Sequence, residues 1–384
     1  MARPGEQNIY ARLALLWTDA TWGWFDHLPP SGALETMLRE SLSEDEAQAL
    51  CDIPLKTVPL DFVTLDEIAA RSDFPPDRLE QLLDGVASRR LLFSKTTQEG
   101  KKAYALLKAG YGYSQIFFWD GGKHPRAQYV AEYFKSPEII KATLEMHTTI
   151  KTKPFRYIPT TEAIDPQWQN VYPSETIEKV IEKAFKIALA QCPCRIRYEF
   201  QNGKPCGHSL DVCIKLNELA ELIIDAGLAK EISHEEAVQV LKKAQAEGLV
   251  HFADNTGEDM KHICNCCGDA CWNVGPIRRR QVPRDALLAT YFLRETNEEK
   301  CIACGECVKI CPVAAVELED GVSKVDLDWC IGCGVCVPRC STDAIRLVGK
   351  LDKPRQSLNF ADLHMKVNIE RSANVEARSE QSDR

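Results

Sequence analysis

Two runs of sequence decide the fold near the carboxyl end: CIACGECVKICP at residues 301–312 and CIGCGVCVPRCS at residues 330–341. Both space their cysteines as Cys-x2-Cys-x2-Cys-x3-Cys, and each cysteine of the second run lies 29 residues after its counterpart in the first. Three cysteines two residues apart, in a tight glycine-containing turn, can direct three thiolates at one iron–sulfur cluster. The spacing therefore predicts a duplicated cluster-binding unit.

The flanking sequences repeat as well, since CPVAAVEL at 311–318 aligns with CSTDAIRL at 340–347. In these residues the chain resembles the bacterial-type dicluster ferredoxins, which bind two [4Fe–4S] clusters and exchange the fourth cysteine between their halves. The resemblance implies that each cluster is bound by the first three cysteines of one run and the last cysteine of the other run. These sets are Cys301, Cys304, Cys307 and Cys340 for the first cluster, and Cys330, Cys333, Cys336 and Cys311 for the second.

The sequence between the two runs predicts a β-hairpin over residues 316–327, with its turn at Asp320-Gly321. Ser341 stands where the first run has Pro312, which loosens one turn but removes no ligand. A disulfide or zinc module is the alternative. Structural zinc takes four ligands in two pairs rather than two runs of three plus one, so the spacing favours iron–sulfur clusters.

Composition narrows the class of protein. A chain of 384 residues predicts two or three domains, and 45% hydrophobic with 27% charged residues is ordinary for a soluble globular protein. The net charge of −9 argues against general nucleic-acid affinity. Seventeen clustered cysteines indicate metal ligands in a reducing compartment. The apolar run at 13–17 is too short to span a bilayer. We expect a cytoplasmic protein from an anaerobe, because oxygen damages accessible clusters.

The amino-terminal part divides into two predicted segments. Residues 1–34 are an aromatic segment that either meets a membrane or partner or folds back as a lid on the first domain; its aromatic residues are Trp17, Trp22, Trp24 and Phe25. Residues 35–110 predict a winged-helix-like domain. Thr64 and Glu67 form a capping box, a second helix follows over 77–90, and two strands flank a wing.

Charge bears on what this domain binds. In regulators the second helix of a winged helix enters the DNA major groove. Residues 61–110 carry eight acidic and eight basic side chains, whereas a DNA reader should be basic. We therefore favour a protein-interaction or dimerisation module, which allows a homodimer, over DNA as the partner. Residues 111–173 are expected to be a connector.

Residues 174–280 predict a helical, cysteine-rich domain, with helices over about 177–190, 209–226 and 233–247. It holds all cysteines outside the ferredoxin unit except Cys51, which is expected to be a small core residue. The eight are Cys192, Cys194, Cys206, Cys213, Cys264, Cys266, Cys267 and Cys271. In an extended segment, cysteines two apart share a side, so Cys192 with Cys194, and Cys264 with Cys266, could each grip one metal. Cys267 would face away and could join Cys271 on a helical turn.

This density of thiols leads to the hypothesis of a third iron–sulfur centre. Zinc is the main rival, and reduced thiols packed in a small core are the ordinary alternative. Adjacent Cys266 and Cys267 are consistent with two metal centres or with one cluster and spare thiols. The whole arrangement also resembles a loosely described group of iron–sulfur proteins from anaerobes, which brings no established reaction. Residues 351–384 form a polar tail whose last ~15 residues are expected to be disordered.

These observations favour an α+β multidomain protein that acts as an iron–sulfur electron-transfer protein or redox subunit. Residues 295–350 form the predicted ferredoxin domain. Residues 301–350 hold seven acidic and five basic side chains, which suits a redox partner protein with a basic face. The alternative is a redox-sensing transcriptional regulator. The sequence has no glycine-rich dinucleotide loop and no phosphate loop, so an enzymatic role would be that of a component of an oxidoreductase system.

Overall fold

The structure is a computed structural model that describes residues 8–18, 32–106, 113–135, 137, 140–141, 150–169, 176–286, 288–350 and 356–382. It separates into two compact units. The amino-terminal unit comprises residues 1–150, 200–203 and 364–384, and the cysteine unit comprises residues 151–199 and 204–363. All sixteen cysteines predicted to bind metal belong to the cysteine unit.

The amino-terminal unit is built from short helices and one small sheet. Before residue 150 its described helices include α1 (Ile9–Trp17), α2 (Gly32–Ser41), α3 (Glu44–Cys51), α4 (Leu65–Ala69), α5 (Pro76–Ser88), α6 (Tyr113–Ile116) and α7 (Ala127–Tyr133). Its strands are β1 (Val63–Thr64), β2 (Phe93–Thr96) and β3 (Lys102–Ala105), in the spatial order β1-β3-β2. From α3 to β3 this is the element order of a winged helix, and that assignment stays a prediction.

Local sequence signals account for much of this unit. The capping box is confirmed, because the Thr64 amide donates to the Glu67 carboxylate at 2.8 Å and Thr64 Oγ1 accepts from the Glu67 amide at 3.3 Å. Cys51 is buried, as expected, and burial raises the pKa of its thiol to about 11. Trp17 is buried in α1. The predictions for Trp22, Trp24 and Phe25 lie outside the described residues.

The cysteine unit contains a seven-stranded sheet, so the prediction of a helical middle domain is wrong. In spatial order β10-β4-β8-β9-β6-β5-β7, its strands are Leu288–Ala289, Phe155–Tyr157, Val250–Asp254, His262–Cys266, Asp211–Leu216, Ile187–Gln191 and Lys230–Glu231. β10 pairs with β4 in parallel, and the other neighbours pair antiparallel. Two of these strands, β4 and β10, come from segments expected to be a connector and a domain boundary.

The predicted helix over 177–190 is a short helix followed by a strand. Helix α9 covers Ile177–Glu182, and Ile187–Gln191 is β5. Phe185, which the helical pattern places on the buried face, is 62% exposed in the connection. Ile187 and Leu189 instead alternate onto a sheet face that packs against α9 and α12 (His234–Ala246). Four successive residues of β5 are buried, so both faces of the strand are covered, and a continuous apolar run of this length does not distinguish a strand from a buried helix.

The prediction of one helix over 209–226 is corrected in the same way. Residues Asp211–Leu216 form β6, and helix α11 begins only at Asn217 and ends at Asp225. Ile214 and Leu216 join the core under α9 and α12, while Cys213 and Lys215 point to the opposite face. The remaining helices before the ferredoxin segment are α8 (Pro166–Gln169), α10 (Pro193–Asn202) and α13 (Val274–Arg278).

The ferredoxin segment consists of two small ladders around the cysteine runs. Strand β11 (Phe292–Thr296) pairs antiparallel with β14 (Ile345–Gly349), and β12 (Val316–Glu319) pairs antiparallel with β13 (Val322–Val325). Helix α14 covers Glu306–Ile310. The predicted hairpin is confirmed, and its turn residues Asp320 and Gly321 have φ of 48° and 77°.

The carboxyl-terminal tail differs from the expectation. Helix α15 runs over Phe360–Ser382, so most of the stretch predicted to be disordered is helical. Phe360, Leu363 and Val367 are buried and recur at helical spacing, which accounts for the first turns of this helix. Among the described helices, none is both long enough and apolar enough to cross a bilayer.

Candidate iron–sulfur sites

The first predicted ligand set surrounds one cavity in the ferredoxin segment. Cys301, Cys304, Cys307 and Cys340 all line it, together with Leu318 and other residues of the hairpin and loops. The cavity measures about 330 Å³ with the open space at its mouth. Cys304 is exposed and Cys307 is buried, so this space reaches from the surface to the interior of the module. A cysteine of the second run thus meets three of the first.

The second predicted ligand set also comes together, in a more covered setting. Cys330, Cys333 and Cys336 are half-buried, and each lies close enough to Cys311 to interact with it electrostatically. Burial raises the pKa of the Cys336 thiol to about 12 and raises that of Cys333 well above its usual value. Thiols in such a site gain from a cation that stabilises their ionised form, which a bound iron provides.

Both ligand loops have the same backbone conformation. Left-handed residues recur 29 positions apart: Ala303 and Gly332 have φ of 54° and 60°, and Gly305 and Gly334 have 77° and 76°. Turns of this kind point successive amide N–H groups into a concave space, which suits an anionic cluster. The local repeat of the sequence is therefore a repeat of backbone geometry.

Amide groups also bond the cysteine sulfurs at equivalent places. The Ala315 amide donates to Cys311 Sγ at 3.3 Å, and the Ala344 amide donates to Cys340 Sγ at 3.2 Å. Burial raises the pKa of Cys340, but hydrogen bonds from Thr342 and from backbone amides leave it below its ordinary value. Hydrogen bonds to cluster sulfurs are one of the means by which proteins set reduction potentials. The donor set, the turns and the amide groups of both sets fit a [4Fe–4S] cluster.

Three of the middle cysteines, Cys213, Cys264 and Cys266, lie on strands at one face of the seven-stranded sheet. Cys264 pairs with Phe252, which pairs with Tyr157, so these three side chains form a row on one face across β9, β8 and β4. Cys266 lies two residues on and shares that face. Cys213 contacts Cys264 through its thiol. The expectation that Cys264 and Cys266 point to one side agrees with this strand.

Six of these thiols form one continuous series of contacts. In order of contact they are Cys192, Cys194, Cys271, Cys266, Cys264 and Cys213. Hydrogen bonds from Cys192 and Cys271 hold the pKa of Cys194 well below its usual range. Hydrogen bonds from Cys213 and Cys266 do the same for Cys264. The two ends of the cysteine-rich segment therefore meet, as the sequence predicted.

One detail of that prediction is wrong. Cys192 and Cys194 are not in an extended segment, because Cys192 follows β5 and Cys194 lies in the first turn of α10. They touch because the strand turns directly into the helix. Cys267 contacts Cys206 and the Arg195 guanidinium, and its pairing with Cys271 stays a prediction.

Two buried cationic side chains lie beside these thiols. Arg195 and Lys215 are 1% and 2% exposed. Arg195 donates to the carbonyl of Asn265 at 3.0 Å and also contacts Cys267. Lys215 contacts Cys213, and its pKa is raised by the thiols of Cys213 and Cys264 although burial lowers it. A buried cation is costly unless an anion lies beside it, so this environment favours thiolates.

Arg197 adds a further cationic side chain at the same site. It lies over the Trp272 ring at 4.3 Å, and burial lowers its pKa, an effect that the thiols of Cys194 and Cys271 only partly offset. Among the described residues, no three or more His, Cys, Asp or Glu surround a single ion position. The ferredoxin cysteines do not surround a single ion position either. This is expected for a four-iron cluster, because each of its thiolate ligands binds a different iron.

Tyr157 lies near cysteines of both the middle segment and the second ferredoxin ligand set. It is 2% exposed, and its hydroxyl has no hydrogen-bond partner in the described part of the chain. Burial raises the pKa of the hydroxyl well above its ordinary value, and Cys333, Cys271 and Cys266 are all close enough to add to this effect. Sequence reasoning missed Tyr157 because only strand pairing brings it to these cysteines.

Comparison with known proteins identifies the carboxyl-terminal segment. A family model for the 4Fe-4S dicluster domain matches residues 300–345. A 62-residue segment, 16% of this chain, is 40% identical to a subunit of the ion-translocating oxidoreductase complex of Methanosarcina acetivorans. The match covers 22% of that relative's length. No solved structure matches the chain significantly. The chain thus carries a 4Fe–4S dicluster domain at its carboxyl end, which supports an iron–sulfur electron-transfer role.

Proposed function

We propose that this protein is an electron-transfer protein or redox subunit in which the dicluster segment is joined to a third iron–sulfur centre in the middle cysteines. The eight ferredoxin cysteines would hold two [4Fe–4S] clusters in the two exchanged sets given above. When bound, such clusters store and transfer single electrons. The protein's own contribution is to hold them close together, shield one side and leave the other accessible.

One observation carries the proposal. The buried hydroxyl of Tyr157 has no partner in the described residues and lies near both Cys333 and the pair Cys266 and Cys271. An unsatisfied buried hydroxyl costs about 1–3 kcal/mol. A sulfur-rich centre beside it would offer an acceptor. Because Tyr157 is close to both cysteine sets, it supports a short separation between the second cluster and the middle site.

The buried cations support metal-bound thiolates in the middle site over plain packed thiols. Arg195 and Lys215 are buried among sulfurs, with Glu247 within electrostatic reach of Arg195 and Asp254 within reach of Lys215. Iron keeps its cysteine ligands deprotonated, so a cluster with several thiolates would place further negative charge beside both buried cations. Zinc would do so as well, and metal analysis separates the two.

The exposed first ligand loop is the side proposed for partner docking. Ile302 is 63% exposed and Leu318 is 46% exposed, next to exposed Cys304. Exposed Glu317 and Glu319 flank Leu318. An apolar centre with an acidic rim suits a redox partner with a basic face around an apolar patch.

Anaerobic purification of the full chain, with iron and zinc counts and Mössbauer spectra, tests the proposal. We expect more than eight irons per chain and no zinc. Cys264→Ser should remove the excess iron and leave the eight dicluster irons. Cys51→Ser, which alters a cysteine outside the cysteine unit, is the matched control and should retain all iron. A count of eight irons in the wild-type chain would refute the third centre, and a chain without iron would refute the whole proposal.

A redox-sensing regulator is the second candidate, supported by the winged-helix order of the amino-terminal elements. Ion pairs weaken it: Arg78 binds Asp45 at 3.0 Å, and Lys102 binds Asp84 at 2.9 Å. Basic residues that pair with carboxylates attract phosphate less. Gel-shift assays on genomic fragments, with clusters intact and oxidised, decide the matter. Specific binding that changes on oxidation would favour the regulator.

A further inference from the structure

Arg294 places a buried guanidinium inside the dicluster segment. It lies in β11 and is 2% exposed. Its Nη2 donates to Ser323 Oγ at 2.6 Å and contacts Cys307 Sγ at 3.7 Å. Ser323 Oγ is itself 3.0 Å from Cys307 Sγ. One arm of the guanidinium thus belongs to the surroundings of the first ligand set.

The same residue also reaches the second ligand set. Its backbone amide hydrogen-bonds the sulfur of Cys330, and its positive charge acts on Cys330 and Cys336. Two further guanidinium donors, Nε and Nη1, are buried without a hydrogen-bond partner in the described residues. Arg294 therefore lies between the two sets of cysteines and has donors to spare.

A guanidinium in this position needs negative charge nearby. Its described side-chain acceptors are a hydroxyl and a sulfur, and burying a cation without an anion costs several kcal/mol. Two clusters with thiolate ligands would supply that charge on both sides. Arginine suits the position because its planar fork carries five donors and can reach two acceptors at once.

We propose that Arg294 is a positive partner shared by both clusters, which favours the reduced form of each. Reduction adds one electron to a cluster and breaks no bond, so a fixed positive charge beside it makes the step more favourable. This inference rests on the dicluster part of the proposed function and is independent of the third centre. Arg294 would be a positioning and tuning residue and not a ligand.

Arg294→Gln should lower the midpoint potentials of both clusters. We expect about a tenfold loss in each one-electron reduction equilibrium, which corresponds to ~59 mV. The matched control is Arg346→Gln. Arg346 lies on the neighbouring strand β14, is exposed and pairs with Glu295 at 2.9 Å and Asp165 at 3.1 Å. Water screens its charge, so both potentials should stay unchanged.

Redox titration of the full chain, followed by electron paramagnetic resonance, measures both potentials, and iron counts confirm loading. Two potentials lowered in Arg294→Gln and unchanged in Arg346→Gln would support the proposal. Potentials unchanged in a loaded Arg294→Gln protein, or lowered for one cluster alone, would overturn the shared role. A wild-type chain with fewer than eight irons would instead refute the proposed function, so the two failures are distinguishable.

Should Arg294→Gln lose iron, Arg294→Lys decides the question. Lysine keeps the charge but has a single ammonium group and no fork. It can approach one ligand set and must leave the other, so at least one potential should fall. Two wild-type potentials in a fully loaded Arg294→Lys protein would overturn the proposal.

Discussion

The two ligand loops of the dicluster segment share a sequence pattern and a backbone conformation, yet they differ in exposure. Ile302 in the first loop is 63% exposed, whereas Ile331, its equivalent 29 residues later, is 1% exposed. Cys304 is exposed, and its equivalent Cys333 is half-buried. The repeat thus determines how a loop presents its thiols, and the neighbouring elements determine whether solvent reaches them.

The equivalent positions 303 and 332 show how packing produces this difference in solvent exposure between the two loops. Ala303 and Gly332 are both left-handed, so the conformation by itself does not require glycine. A Cβ on Gly332 would lie 1.9 Å from the carbonyl oxygen of Phe292 in β11. Glycine is needed in the second loop because a strand packs directly against it. This close packing turns the second loop toward the interior of the cysteine unit.

The largest effect should come from the cysteines exchanged between the runs. Cys340→Ala should abolish the first cluster although the residue belongs to the second run, and Cys311→Ala should abolish the second cluster. Each variant should lose about four of the eight dicluster irons, because a cubane needs a fourth ligand. Iron analysis and electron paramagnetic resonance identify the remaining cluster. Loss of the second cluster in Cys340→Ala would contradict the exchange.

The two isoleucines sharpen the comparison of the loops. Ile331→Ala should lower the free energy of unfolding by about 2–5 kcal/mol, because it creates a cavity in a packed region. Ile302→Ala is the matched control, and it should change stability by less than ~0.5 kcal/mol since the side chain is in solvent. Anaerobic denaturant unfolding measures both. Equal effects would mean that the second loop is not covered in solution.

Substitutions at the two left-handed positions, 303 and 332, should change the free energy of unfolding in opposite directions. Gly332→Ala should destabilise by roughly 2–4 kcal/mol, from the left-handed conformation and the contact with the Phe292 carbonyl. Ala303→Gly should stabilise or be neutral, within about 1 kcal/mol, because glycine relieves the left-handed conformation but gains entropy in the unfolded chain. Thermal unfolding without oxygen provides the comparison. A well-tolerated Gly332→Ala would show that β11 does not press on this loop.

Cluster lability should give the smallest difference. With chelator and air, the first cluster should be lost about tenfold faster than the second, which corresponds to ~1.4 kcal/mol in local opening. The reason is that exposed Cys304 and the open cavity admit solvent. The decay of each signal in electron paramagnetic resonance measures the two rates. Faster loss of the second cluster would reverse the proposed assignment of the exposed and covered sides.

Some predictions succeeded because they depend on neighbours in sequence. The hairpin over 316–327 and the capping box at Thr64 are short-range structures, and both are present. The helix predicted over 177–190 failed because alternating and helical periods overlap in a short apolar run. Its residues 187–191 became a strand once β6 and β7 were available as partners on either side.

The sequence alone determined the two cysteine runs, their 29-residue repeat and hence the chemistry of the dicluster segment, because three of the four ligands in each predicted set lie within six residues of one another. Only the tertiary structure brought Tyr157 beside distant cysteines and buried Arg294 between the two ligand sets. It also covered the second ligand loop and left the first exposed. Strand pairing and packing join residues far apart in the chain, and no local pattern encodes which of two similar loops the rest of the unit will cover.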